Sequence, residues 1–173
     1  MRDRPLLERR AKLRRLVGSD PTSPLQFSDE FVGDGVAFFR ACAEQGLEGI
    51  VSKLVSSRYR SGRGKTWVKC KCFTESSLLI IGTDRDRKTG AMRALFARAE
   101  EQGLIYAGTA LIGLSAKARE DLQLQLKALT REVPPIAGLR LKDAQWSEPE
   151  LVVRVRHLAS SKQLRHATVR AVS

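Results

Sequence analysis

Apolar and polar positions change their rhythm several times along the chain, and each change predicts an element. From Pro5 to Val17, Leu6, Leu13, Leu16 and Val17 recur at helical spacing behind a proline near the first turn, which predicts a short helix. Gly18-Ser19-Asp20-Pro21-Thr22-Ser23-Pro24 breaks it. A second helix is predicted from Gly35 to Gln45, with Asp34 as its N-cap, Phe39 and Ala43 on one face and Gly46 as the stop. Leu47 to Val55 then reads as a strand, Ser56 to Gly64 as a serine-, glycine- and arginine-bearing loop, and Thr66 to Phe73 as a second strand. Alternation places Val68, Cys70 and Cys72 on one face of that strand, as small core residues, and Trp67, Lys69, Lys71 and Phe73 on the other.

Beyond Ser77 the pattern becomes that of a β-domain. Leu78 to Gly82, Ala91 to Ala99 and Leu104 to Leu114 read as three strands, the last two joined by a tight turn at Glu100-Glu101-Gln102-Gly103. Ser115 is placed to cap a helix reaching Thr130, in which Ala118, Leu122, Leu126 and Leu129 recur at helical spacing. Past Pro134-Pro135, Leu151 to Leu158 and Leu164 to Val172 read as two further strands. Three strands, a helix and two strands is the order of an OB-fold barrel. The predicted fold class is α+β, with a boundary just after Cys72 that divides 1–72 from 73–173.

Charge adds the nature of the partner. The 173 residues carry 31 Lys and Arg against 19 Asp and Glu, a net +12, and the excess is segregated. No acidic residue falls between Glu48 and Glu75, where Lys53, Arg58, Arg60, Arg63, Lys65, Lys69 and Lys71 lie. After Glu150 only Arg154, Arg156, Lys162, Arg165 and Arg170 are charged at neutral pH. Clustering of this kind is the footprint of a polyanion, nucleic acid or nucleotide phosphate. Lys69 and Lys71 stand roughly 7 Å apart along one strand face, a spacing at which like charges repel unless an anion lies between them.

Other classes drop out. No apolar stretch approaches the roughly 18 residues of a membrane span, and the N-terminus has no apolar signal region, so an intracellular chain is expected. Three cysteines, Cys42, Cys70 and Cys72, with only His157 and His166, make neither a disulfide framework nor zinc-finger spacing.

Glu48-Gly49-Ile50-Val51-Ser52-Lys53, Tyr59-Arg60-Ser61-Gly62-Arg63 and Trp67-Val68-Lys69-Cys70-Lys71 follow one another in an order and spacing that resemble the ATP-dependent DNA ligases, and most closely the ligase module of bacterial DNA ligase D. There, E-G-[IV]-V is nucleotidyltransferase motif IV and W-x-K-x-K is motif V. Pro5-Leu6-Leu7-Glu8-Arg9-Arg10 is similar to the segment after motif IIIa, and Trp146 to Leu151 with Leu164-Arg165-His166-Ala167 to the end of the OB domain, where motif VI lies. The resemblance implies the C-terminal part of an adenylation domain in 1–72 and an OB domain in 73–173. It implies Lys69, Lys71 and Arg165 as nucleotide-phosphate contacts, with Arg170 a further motif VI arginine, and Glu48 as a ligand to Mg2+ or Mn2+. Lys53, Arg58, Arg60, Arg63 and Lys65 would meet the DNA backbone. ATP is the implied cofactor and nicked or broken double-stranded DNA the implied substrate, with other end-joining repair proteins as partners at a bacterial nucleoid.

The nucleophile of this family is the lysine of K-x-D-G. The single Asp-Gly here, Asp34-Gly35, has Val32 in the lysine position. No catalytic lysine is therefore assigned, a truncated chain is expected, and self-adenylylation by it is not. The alternatives are a non-catalytic DNA-binding OB module and, within the same chemistry, an RNA ligase or capping enzyme, against which the Y-R-S-G-R loop speaks.

Overall fold

A computed structural model describes residues 1–161 and 163–172; Lys162, counted above among the basic residues, lies outside them. The chain divides into two compact units, Met1–Cys72 and Phe73–Ser173.

The first unit begins with α1, Leu6–Val17, which has Pro5 at its N-cap, Glu8 in its first turn and Arg14 and Arg15 in its last, each charge matched to the helix dipole. Of its apolar stripe only Leu6 is buried; Leu13 and Leu16 are exposed, because the stripe has no partner element over it. In α2, Gly35–Glu44, the Asp34 carboxylate accepts from the N–H groups of Val36 and Ala37 at 2.8 and 3.2 Å, and Cys42 is buried with Phe39 half-buried beside it. Two antiparallel strands follow, β1, Gly49–Lys53, and β2, Trp67–Lys71, paired from Gly49 with Lys71 to Lys53 with Trp67.

The second strand, expected from Thr66 to Phe73, is shorter at both ends, starting at Trp67 and stopping at Lys71. Phe73 does not finish β2; the chain breaks at Cys72, and Phe73 opens the first strand of the next unit. The expected core face of Val68, Cys70 and Cys72 is buried only at its Cys72 end. Cys70 is half-buried and Val68 is exposed, since two strands cover too little surface to bury a whole face.

The second unit is the OB-fold. β3, Phe73–Arg85, β4, Met92–Glu100, and β5, Gly103–Ile112, form a meander. The helix α3, Ala116–Ala128, follows with Ser115 Oγ accepting from Ala118 N–H. Two short strands, β6, Thr130–Arg131, and β7, Gln145–Ser147, precede β8, Val152–Leu158, and β9, Thr168–Val172. β3 pairs with β4, β4 with β5, β5 in parallel with β9, β9 with β8 and β8 back with β3, which closes a five-stranded barrel. β6 and β7 had no signature in the sequence, because two or three residues are too few to show alternation.

Strand β3 is 13 residues long, far beyond the expected Leu78 to Gly82, and serves two partners. Its first half pairs with β8, and its second half with β4 and β7. A bulge at Ile80/Gly82 lets it bend. Gly82 sits at φ +153° with the Gln145 carbonyl oxygen 2.3 Å from where a Cβ would stand, so only glycine admits β7 there.

Alternation divides the barrel's apolar residues. Leu78, Ile80, Ala94, Phe96, Val153 and Val155 point inward, with Leu122 of α3 packed among them. Ile81, Leu95 and Ala97 face the other way and are covered by Ile136, Leu139, Leu141 and Trp146. A segment buried on both faces accounts for the unbroken apolar run of β4. Buried His157 is satisfied locally: Nδ1 donates to the Leu158 carbonyl at 2.9 Å, and Nε2 accepts from the Ser76 hydroxyl at 2.9 Å.

Candidate nucleotide and nucleic-acid interface

In the first unit the β1–β2 pair assembles three of the singled-out residues. Cross-strand partners share a face, so Lys71 lies over Gly49, Lys69 over Val51 and Trp67 over Lys53. Gly49, at φ +147°, has the Cys70 carbonyl oxygen 2.1 Å from its missing Cβ and the Lys71 Cα at 2.8 Å. The lack of a side chain lets the start of β1 close on β2, where Cys72 N–H donates to the Glu48 carbonyl at 2.8 Å. At this close approach Lys69 Nζ donates to Glu48 Oε1 at 3.2 Å. The pair is half-exposed, so its own contribution to stability is small, about 0–1 kcal/mol. Its geometry matters more: an anion arriving at Lys69 competes with a carboxylate already in place.

Lys53 Nζ sits 4.5 Å from the centroid of the exposed Trp67 ring, a cation–π contact that alternation within one strand did not foretell. The loop between the strands is tied down at two points. Leu54 N–H donates to the Thr66 carbonyl at 2.8 Å, and Tyr59 N–H to the Arg2 carbonyl at 2.8 Å. Arg2 and Arg9 flank the Tyr59 ring at 5.4 and 5.9 Å, and Arg9 also donates to the Ser57 carbonyl. Sequence reading overlooked this anchoring by Arg2 and by Arg9 of α1, whose signal was only two arginines near the start of the sequence. Arg58, Arg60, Arg63 and Lys65 are exposed and have no acidic partner among the described residues. Four cations held on a tethered loop without neutralising carboxylates form a surface on which phosphates can settle.

Behind this sheet the three cysteines lie together as free thiols, and burial pushes the Cys72 thiol upward, with the Cys42 and Cys70 thiols adding to the effect. Cys42 and Cys72 are buried and Cys70 is half-buried. No group of three or more His, Cys, Asp or Glu suited to a metal ion occurs among the described residues. Glu48 is thus a single carboxylate, which suits a hard cation that takes its remaining ligands from phosphate and water.

Arg165 belongs to the second unit, exposed in the connection between β8 and β9. Arg170 is exposed on β9. Elsewhere on the barrel Arg156 stacks over Phe73 at 3.7 Å, and Arg154 lies 3.9 Å from Glu75. Part of the C-terminal basic run is therefore occupied within the unit. No helix among the described residues is long and apolar enough to cross a membrane.

A lysine-bearing strand pair followed along the chain by a closed five-stranded OB barrel is the element order of nucleotidyl-transferring ligases. Residues 87–172 match the family model of the ATP-dependent DNA ligase C-terminal region, and the chain belongs to the ATP-dependent DNA ligase family. It is similar to the multifunctional non-homologous end joining protein LigD of Pseudomonas aeruginosa, at 30% identity over 90% of this chain and 20% of that protein. The ligase domain of M. tuberculosis LigD superposes with a TM-score of 0.54 at 25% identity, over 99% of this chain and 58% of that one. A mycobacterial DNA ligase D complexed with ATP and MES gives 0.50 at 26% identity, over 100% and 58%. The chain thus spans about a fifth of the length of the Pseudomonas relative.

Proposed function

We propose that this chain is the rear part of a DNA ligase D-type enzyme that seals nicked or broken double-stranded DNA with ATP in repair. Residues 1–72 are the C-terminal part of its adenylation domain and 73–173 its OB domain. The observation that carries this reading is the contact of Lys69 with Glu48, two motif residues 21 positions apart in the chain, on a strand pair that also presents Lys71.

Ligation transfers a phosphoryl group at each step, so its transition states need cations around developing negative charge. Lys69 and Lys71 supply two of them to the nucleotide phosphates, and Arg165 a third from the OB domain. A phosphate oxygen that takes Glu48's place on Lys69 leaves the carboxylate available to Mg2+ or Mn2+, whose charge offsets that of the phosphates when it is bound. Arg58, Arg60, Arg63 and Lys65 lie against the DNA backbone, with Lys53 beside them on Trp67. End-joining proteins are the partners and the nucleoid the place of work. Within these residues no Lys-x-Asp-Gly occurs, so the nucleophile comes from outside them and the chain alone does not form the covalent AMP adduct.

The test separates the nucleotide-binding from the DNA-binding residues on the chain as it stands. Lys69→Ala with Lys71→Ala is expected to abolish ATP binding and leave most affinity for a nicked duplex. Arg58→Ala, Arg60→Ala and Arg63→Ala together are expected to lower DNA affinity and reduce the salt slope by about 0.9 for each phosphate that is no longer neutralised. Stable label from α-labelled ATP on the chain alone would refute the missing nucleophile. A chain that binds DNA but never ATP would favour the non-catalytic DNA-binding module.

A further inference from the structure

On the β1–β2 pair every second residue shares a face, which sets Gly49, Val51 and Lys53 of β1 beside Lys71, Lys69 and Trp67 of β2. Lys53 stands directly opposite Trp67, and Val51 diagonally from it. The ladder does not fray at this end, since Leu54 N–H donates to the Thr66 carbonyl at 2.8 Å one pair further on. Trp67 is thus held at a fixed place in the sheet, and Lys53 Nζ, 4.5 Å from the ring centroid, steadies the indole itself.

The ring nevertheless stays open to water. Trp67 is 46% exposed and Val51 48%, an aromatic and a branched aliphatic side chain on one side of the sheet. Tryptophan has more apolar surface to cover than any other side chain, so an exposed one calls for an occupant more strongly than an exposed leucine does. Lys53 takes one face of the indole, and the sheet has only two strands, so no further strand among the described residues lies beyond β2 to cover the other.

Charge decides what that occupant is. Lys53 is beside the ring, the exposed Lys65 is two residues ahead of it, and Arg58, Arg60 and Arg63 lie on the same connecting loop, with no acid between Glu48 and Glu75. A second copy of this face would bring like charges together. An aromatic ring among cations is the combination that grips single-stranded nucleic acid: the cations follow the backbone and the ring stacks on a base. Inside a duplex each base is already stacked on both sides, so only a base freed from the duplex, at a broken end or beside a nick, has a face to offer.

We propose that Trp67 is a stacking platform for an unpaired base of DNA, with the phosphates of that strand at Lys53 and Lys65, so that the chain distinguishes an overhanging end from a blunt one. The inference rests on the reading of the first unit as a DNA ligase surface, and it adds to that surface a contact with a base where the cations supply contacts with phosphates alone.

Trp146→Phe leaves Trp67 as the remaining one of two tryptophans, so that emission reports on the platform. The full chain in this background is titrated, at one salt concentration, with a duplex that ends in a thymidine overhang, with the same duplex whose overhang is abasic, and with the blunt duplex. The thymidine overhang is expected to quench Trp67 and to bind about ten-fold more tightly than the abasic one, the worth of one base–aromatic stack. Trp67→Ala, followed by the anisotropy of labelled DNA, is expected to bring the two overhangs to equal affinity and to leave the abasic one bound as before. Trp67→Phe is expected to restore part of the preference. A tryptophan with only a structural role would change both overhangs together. Lys53→Gln is expected to weaken both overhangs alike and to reduce their salt slope by about 0.7–0.9. Equal affinity for the two overhangs in the parent, or a preference that survives Trp67→Ala, would overturn the proposal while the ligase reading stands. Failure to bind any of the three DNAs would overturn both. Emission that moves to the blue with protein concentration before DNA is added would also overturn it, because a second copy then covers the ring.

Discussion

Gly49→Ala tests the closest approach in the candidate site. A Cβ at Gly49 would stand 2.1 Å from the Cys70 carbonyl oxygen, and real Cβ contacts essentially never fall below 3.0 Å, so β1 and β2 must separate locally by at least about 0.9 Å. Separation by that amount lengthens the 2.8 Å bond from Cys72 N–H to the Glu48 carbonyl to about 3.7 Å, beyond hydrogen-bond range. Because Cys72 is buried, the abandoned N–H costs about 1–3 kcal/mol. Alanine held at φ +147° costs about as much again, 1–3 kcal/mol. The expected loss is about 2–6 kcal/mol, against about 4–11 kcal/mol for a unit of this length.

Urea denaturation of the full chain measures it, with Trp146→Phe in the background so that Trp67, the other of the two tryptophans, reports on the first unit alone. Gly46→Ala is the control: Gly46 is also left-handed, at φ +68°, but nothing lies within 4 Å of its Cβ position, so about 1 kcal/mol is expected. A Gly49→Ala loss below about 1 kcal/mol, or one equal to that of Gly46→Ala, would refute the steric argument.

Three further outcomes are expected. Phe96→Ala, at a fully buried barrel position, should cost about 3–5 kcal/mol and lower the melting point followed through Trp146 by about 12 °C or more; a shift of a few degrees would mean the barrel repacks. The Asp86 carboxyl is held below its ordinary value near 3.8, first by hydrogen bonds from Thr89, backbone and hydroxyl, then by Lys88 N–H and the Arg93 charge, against a small desolvation. A depressed carboxylate contributes stability above its unfolded pKa and loses it as pH falls through the folded value. The thermal midpoint should therefore drop below about pH 4 and drop less in Asp86→Asn; identical acid profiles would contradict this. Thiol titration at about pH 8 should label half-buried Cys70 first and reach Cys72 only on unfolding, since burial both shields that sulfur and raises its pKa. Rapid labelling that survives Cys70→Ser would contradict the burial.

What the sequence determined by itself is local in origin. The two helix starts at Asp34 and Ser115 were legible because a cap is a contact between a side chain and an N–H two or three residues on. The β4–β5 turn was legible for the same reason, and the order of strands and helix was enough to place the barrel class. Alternation likewise put Lys69 and Lys71 on one strand face before any geometry was known, whereas Glu48 was singled out only by the resemblance of its motif. Contacts between distant segments were decided only by tertiary structure. Alternation along β2 put its cysteines on a core face, yet burial depends on what lies opposite, and Val68 stays exposed. The length of β3 follows from having β8 along one half and β4 and β7 along the other, which no window of 11–18 residues contains. The anchoring of the arginine loop through Tyr59 to Arg2 and Arg9 is of the same kind. Backbone propensity and side-chain spacing are properties of neighbours in the chain; desolvation and pairing belong to neighbours in space, and those exist only once the chain has folded.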